Sequence, residues 1–162
     1  MSFSSPTPWG VMPLLADALP PGYRCCSGGP TDIRCPEESV VRARAACRWL
    51  PVTDPGAGPL YVDVVVTRFT RRTDALRAVT DLTGVPAGMV TRTLFPPRIG
   101  EETTAVRAEA TADGARYVLY QVSAQLGCTV GTIAALWRWP AGSPQWVYER
   151  LRRLMGELAA EA

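Results

Sequence analysis

Apolar and polar side chains alternate along residues 99–139, and this period of two predicts three consecutive antiparallel strands. The strands are expected at Glu102–Ala110, Ala115–Gln125 and Thr129–Trp139. Between the first two, Asp113–Gly114 is typical of a two-residue hairpin turn, because such a turn needs positive φ angles that Asp-Gly adopts readily. The pattern therefore predicts the middle of an antiparallel sheet.

The run from Tyr117 to Trp137 contains no charged residue, which raises the alternative of a transmembrane helix. Polar side chains and glycines interrupt the run, at Gln121, Ser123, Gln125, Gly127, Thr129, Gly131 and Thr132. Its enrichment in Val, Tyr, Thr and Trp favours strands over a helix that faces lipid. We therefore predict two buried strands here and no transmembrane segment in the chain.

A period of 3.6 residues predicts three helices, at Val11–Leu19, at Thr73–Thr83 and from Ser143–Pro144 onward. In the middle helix Thr73 is a suitable N-cap, and the apolar stripe is expected to be Leu76, Val79 and Leu82. The last helix has the clearest stripe, formed by Val147, Leu151, Leu154, Met155 and Leu158.

Three further segments read as strands: Leu60–Thr70, a short one at Ala45–Leu50 and another at Met89–Leu94. The predicted fold class is α+β, with a central antiparallel sheet of about five to six strands flanked by an N-terminal, a middle and a C-terminal helix. Residues 1–9 are expected to be a flexible tail, and residues 10–162 a single domain.

The net charge and the amino-acid composition argue against several classes of function. The 162 residues carry a net charge of +2, which is too weak a field to suggest nucleic acid as the partner. The chain has no His, which removes Ser-His-Asp and Cys-His nucleophile systems and His-ligated metals. We expect no cofactor and no metal.

Four cysteines, Cys25, Cys26, Cys35 and Cys47, lie in a segment rich in Gly and Pro that favours a disulfide staple. Zinc is the alternative, but no Cys-x-x-Cys pair is present. Cys128 is expected to be a buried thiol.

The N-terminus lacks the pattern of a signal peptide, so the protein is either cytosolic or a form whose leader was removed. The cysteines favour the second, an extracytoplasmic location.

Four stretches of the chain form a recognisable series: Cys47-Arg48-Trp49, Val64–Phe69 followed by Thr73-Asp74-Ala75, Pro97–Glu102, and Gln125-Leu126-Gly127. Through these residues and the order of its elements, the chain resembles a group of small secreted actinobacterial lipoproteins and the related extracellular sensor domains of mycobacterial-type Ser/Thr kinases. The chain differs from that group in lacking a lipobox and in having the adjacent pair Cys25–Cys26.

The resemblance implies a sheet flanked by helices and displayed outside the membrane, a bridge from Cys47 to an upstream cysteine, and no enzymatic activity. We take Cys26 as the preferred partner of Cys47. The first functional hypothesis is a non-catalytic, sensor-like module that binds an unidentified small molecule or protein.

The candidate binding residues are Asp63, Arg107, Tyr117, Tyr120, Trp137 and Trp139. The alternative hypothesis is a small cytosolic enzyme of the isomerase or cyclase type, with carboxylates and these aromatics in a pocket on the sheet. Packing in the core is the commoner role of such aromatics, and the sequence contains no catalytic motif.

Overall fold

The computed structural model describes residues 22–25, 31–33, 40–81, 85 and 87–160. Within them the chain forms eight strands and two helices. In chain order these are β1 (Tyr23–Cys25), β2 (Thr31–Ile33), β3 (Val41–Pro51), β4 (Tyr61–Phe69), α1 (Arg72–Thr80), β5 (Val90–Leu94), β6 (Glu102–Ala112), β7 (Ala115–Leu126), β8 (Thr129–Arg138) and α2 (Pro144–Ala160).

All eight strands belong to one antiparallel sheet, in the spatial order β1-β3-β4-β8-β7-β6-β5. β1 and β2 both pair with β3, on the edge that β4 leaves free, so the eight strands occupy seven positions. The prediction of an antiparallel α+β fold is confirmed, but the expected five to six strands were too few. The two missed strands have three residues each, too short for alternation to be visible.

The uncharged run folds back on itself as β7 and β8, as predicted, with the turn at Gly127–Cys128. The hairpin between β6 and β7 is also confirmed, since Asp113 and Gly114 both have positive φ angles, 51° and 76°. Neither described helix has the length and apolar character needed to cross a membrane.

Helix α2 packs on β7 and β8 and closes one face of the sheet, which we call the helix face. Its predicted stripe is confirmed, because Val147, Leu151, Leu154, Met155 and Leu158 are all buried. Gly131 of β8 lies beneath the helix, where a Cβ atom would stand 2.7 Å from Sδ of Met155. The absence of a side chain at this position lets α2 lie close to the sheet.

A disulfide joins Cys25 of β1 to Cys47 of β3, with the two Cα atoms 6.3 Å apart. The predicted bridge to Cys47 is confirmed, but Cys26 is the wrong partner and lies outside the described residues. Cys25 pairs in register with Trp49, and its buried side chain lies on the same face as that of Cys47. Cys128 is free and partly buried.

Helix α1 lies on the opposite face, at one end of the sheet, where Ala75 and Val79 pack against Val130. The predicted stripe is wrong at Leu76, which is 42% exposed. The small side chain of Ala75 makes the close contact instead. Leu82, the third predicted position, lies outside the described residues.

The start of α1 also differs from the prediction. The helix begins at Arg72, and Arg71 is the N-cap residue without a capping hydrogen bond from its side chain, whereas Thr73 was the expected cap. The predicted N-terminal helix Val11–Leu19 lies outside the described residues.

Candidate functional site

The face of the sheet opposite α2, here called the open face, is covered only in part. α1 covers one end, and Val85 and Met89 pack over Leu119 and Ala134. Between them lies a cleft of about 400 Å³. Its lining residues come mainly from β3, β4, β7 and β8: Val41, Arg44, Arg48, Tyr61, Asp63, Val65, Thr67, Phe69, Ala78, Leu119, Gln121, Ser123, Val130, Thr132 and Ala134.

The floor of the cleft is polar, although it lies in the middle of the sheet. Gln121 and Ser123 of β7 are only 6% and 9% exposed, and Oγ of Ser123 lies 2.8 Å from Oγ1 of Thr132 on β8. Burying polar groups costs free energy unless hydrogen bonds compensate, and Ser123 and Thr132 compensate each other across the two strands. These side chains therefore give the cleft hydrogen-bonding groups at its base.

Much of the remaining lining of the cleft is apolar, and most of it comes from the same strands. The side chains with this character are Val41, Val65, Phe69, Ala78, Leu119, Val130 and Ala134. Apolar walls around a few polar groups are the usual composition of a small-molecule pocket, where burial supplies affinity and the polar groups supply orientation.

Two arginines of β3 line the cleft, together with one carboxylate. Nε and Nη2 of Arg48 donate hydrogen bonds to the two carboxylate oxygens of Asp63, both at 2.7 Å. The guanidinium of Arg48 also lies over the ring of Tyr61, 4.3 Å from its centroid. Burial raises the pKa of Tyr61, the charge of Asp63 adds to that shift, and the charge of Arg48 opposes it.

Arg44 is in a different situation. Its cross-strand neighbour on β4 is Thr67, and within the described part of the chain no carboxylate lies at ion-pairing distance from it. Among the side chains that the structure describes, the cleft therefore has one compensated guanidinium, that of Arg48, and one without a carboxylate partner, that of Arg44.

The six residues predicted to bind fall on both sides of the sheet. Asp63 lines the cleft, while Arg107, Tyr120, Trp137 and Trp139 come together at the helix face or its margin. Nε of Arg107 lies 3.4 Å from the hydroxyl of Tyr120, whose ring meets Trp137 edge to face at 5.9 Å.

Trp137 is buried and also meets Trp146 of α2 edge to face, at 5.5 Å. Trp139 is partly exposed, and the guanidinium of Arg116 lies 4.1 Å from the centroid of one of its rings. The aromatic group thus packs the junction of α2 with the sheet, which is the commoner role of such residues.

Tyr117 stands apart from this group, because residues three apart along a strand point to opposite faces and Tyr120 occupies the helix face. Tyr117 is not among the residues that line the cleft. The sheet therefore separates Tyr117 and Asp63 from Tyr120 and Trp137, which the enzyme hypothesis places in one pocket with a carboxylate.

The side chains Arg107 and Arg116 flank Glu109 near the same margin. The hydrogen bond from Arg116 lowers the pKa of Glu109, burial opposes that shift, and Arg107 strengthens it through a hydrogen bond and its charge. Burial alone would lower the pKa of Arg107, but its hydrogen bonds with Tyr120 and Glu109 outweigh burial and raise it.

Sequence reasoning missed most of the cleft, including Arg44, Gln121 and Thr132. A signal was present, since β7 carries polar side chains at every second position of its central part within an otherwise apolar run. Among the described residues, no group of three or more Cys, Asp and Glu side chains is placed to hold a metal ion.

Comparison with known proteins does not assign this chain to a family. No family model matches it. No curated protein and no solved structure matches it either.

Proposed function

We propose that the protein is a non-catalytic binding module that holds a small molecule in the open-face cleft. One observation carries the proposal: a cleft of about 400 Å³ is lined by apolar side chains together with buried polar ones. Such a volume lies in the range of small-molecule sites. The ligand has an apolar body that contacts Val65, Leu119 and Val130 and a polar group that reaches the floor.

The state of Asp63 supports binding rather than catalysis. A general base must offer its carboxylate to a reacting proton. Both oxygens of Asp63 already accept hydrogen bonds from Arg48. The aromatic residues that an isomerase or cyclase would place around its substrate pack instead against α2. These two arrangements favour the binding module over the enzyme.

The proposed location is extracytoplasmic, with a sensor-like role. The Cys25–Cys47 disulfide is compatible with an oxidising compartment. The resemblance to secreted actinobacterial lipoproteins and kinase sensor domains supports the same location.

The proposal is tested with N-phenyl-1-naphthylamine, a neutral apolar fluorophore that brightens when it leaves water. The protein is expected to bind the probe, and Val65→Trp, which places a large ring in the cleft, to weaken binding at least about tenfold. Val90→Trp is the matched control, because Val90 is 76% exposed on β5, outside the cleft, and its affinity should equal that of the unmodified protein.

The proposal fails if the folded protein does not bind the probe, or if the two Trp variants bind it equally well. Thermal unfolding of both variants establishes that they are folded at the temperature of the titration. Competition by an extended peptide, but by no small amphiphile, would point instead to a protein partner and would also overturn the proposal.

A further inference from the structure

We propose that the ligand of the cleft is an amphiphile with a single anionic group, and that Arg44 binds this group. This inference rests on the proposed function and adds the chemical class of the ligand. Two guanidinium groups and one carboxylate line the cleft, those of Arg44, Arg48 and Asp63, which leaves an excess of one positive charge.

The ion pair between Arg48 and Asp63 shows which of the two arginines carries the excess positive charge. Arg48 donates two hydrogen bonds to Asp63 and stacks on Tyr61, so its charge is compensated and its orientation is fixed. In the part of the chain that the structure describes, Arg44 has no such carboxylate. An arriving carboxylate or phosphate can form a charge-assisted, bidentate hydrogen bond with Arg44 without displacing a residue of the protein.

The spacing of the arginines limits the ligand to one anionic group at this end. Arg44 and Arg48 are four residues apart on one strand, which separates their Cα atoms by about 13 Å. Arg48 is also held by Asp63 and by the ring of Tyr61, so a compact anion at Arg44 binds one guanidinium. Asp63 is already paired, so a cationic ligand finds no free carboxylate in the cleft lining.

The surroundings of Arg44 define the rest of the ligand. Thr67, directly across on β4, brings a hydroxyl group to the same end of the cleft. Val41, Phe69 and Val130 line that end with apolar surface. An anionic group at Arg44 thus places the attached apolar chain against these side chains and against Val65, two residues further along β4, which is the arrangement an amphiphile requires.

The experiment compares decanoate, decyl phosphate and decanol as competitors of N-phenyl-1-naphthylamine, each below its micelle concentration. Decanoate, decyl phosphate or both are expected to displace the probe at least about tenfold better than decanol. The two anions distinguish carboxylate from phosphate amphiphiles as the source of the anionic group. In Arg44→Gln the preferred anion should displace the probe no better than decanol does, with both competitors measured on the same variant.

Arg92→Gln is the matched control, because Arg92 is an exposed arginine of β5 outside the cleft, and the preference for anions should persist in this variant. Equal displacement by anions and decanol, with both still blocked by Val65→Trp, would overturn the anionic class and leave the proposed function standing. Loss of the preference in Arg92→Gln as well as in Arg44→Gln would also overturn it. Failure of the probe to bind at all would remove both proposals.

Discussion

Arg48 and Asp63 are direct cross-strand partners on β3 and β4, and their side chains form a bidentate ion pair with two hydrogen bonds of 2.7 Å. About half of the Arg48 side chain is exposed, so water and salt screen the attraction. The pair therefore fixes the position of the two groups more than it stabilises the fold.

We accordingly expect a small coupling energy between these residues. Asp63→Asn, Arg48→Gln and the double variant should give a coupling free energy below about 1 kcal/mol in a double-mutant cycle measured by urea unfolding. The coupling should decrease as salt is raised. A value of several kcal/mol, insensitive to salt, would contradict this account of a screened pair.

The turn before β6 depends on a glycine. Gly100 has a φ angle of +69°, and a Cβ atom there would overlap the backbone carbonyl oxygen of Gln125. Gly100→Ala is expected to destabilise the protein by more than about 2 kcal/mol, because the left-handed conformation and the overlap both cost free energy.

Gly114→Ala is the matched control for this prediction. Gly114 has a similar φ of +76°, but a Cβ atom there meets no atom within 4 Å. Its cost should be only about 1–2 kcal/mol, the penalty of the left-handed conformation. Equal losses in the two variants, measured by chemical unfolding, would contradict the overlap at Gln125.

Leucine side chains of the two helices differ in how deeply they are buried. Leu151 of α2 is fully buried, so Leu151→Ala should leave a cavity and cost about 2–5 kcal/mol of unfolding free energy. Leu76 of α1 is 42% exposed, and Leu76→Ala should cost less than about 1 kcal/mol. Urea unfolding of both variants checks the assignment; comparable losses would show that Leu76 is packed as the periodicity predicted.

We expect low pH to destabilise the folded protein through protonation of Glu109. Its pKa is lowered in the folded protein, first by the hydrogen bond from Arg116, against burial and with help from Arg107. A group whose pKa falls on folding stabilises the protein above its unfolded pKa and loses that contribution as the pH falls through the folded value. The ordinary pKa of 4.5 places the loss below about pH 4.5.

The melting temperature of the unmodified protein should consequently fall more between about pH 6 and pH 3 than that of Glu109→Gln. Glu102→Gln is the control, since Glu102 is an exposed carboxylate of the same strand without an ion pair in the described region. Its acid dependence should match that of the unmodified protein. Parallel curves for all three proteins would exclude a contribution from Glu109.

Long periodic segments were predictable because their patterns report directly which side is buried. The stripe of α2 and the Asp113–Gly114 hairpin are examples, and both depend only on neighbouring residues. The short strand β1 and the choice of Cys25 as the partner of Cys47 depend on pairing with a distant segment. Local sequence does not contain that information.

The face of the sheet on which each candidate residue lies is a second property that local sequence does not determine. Alternation shows that every second residue of a strand shares a face, but not which face of one strand matches which face of another. Asp63 pairs with Ala134 of β8, whereas Tyr120 pairs with Ala135. Because adjacent residues of β8 point to opposite faces, Asp63 and Tyr120 are separated by the sheet. Only the strand order and register reveal this.

Strand β7 contributes side chains both to the base of the cleft and to the packing beneath α2. Gln121 and Ser123 point to one side, and Tyr120, Val122 and Ala124 to the other. Deleting or inserting a single residue in this strand would exchange the two sets, bringing amide and hydroxyl groups under the helix and aliphatic groups into the ligand's place. The register of β7 is therefore under two constraints at once.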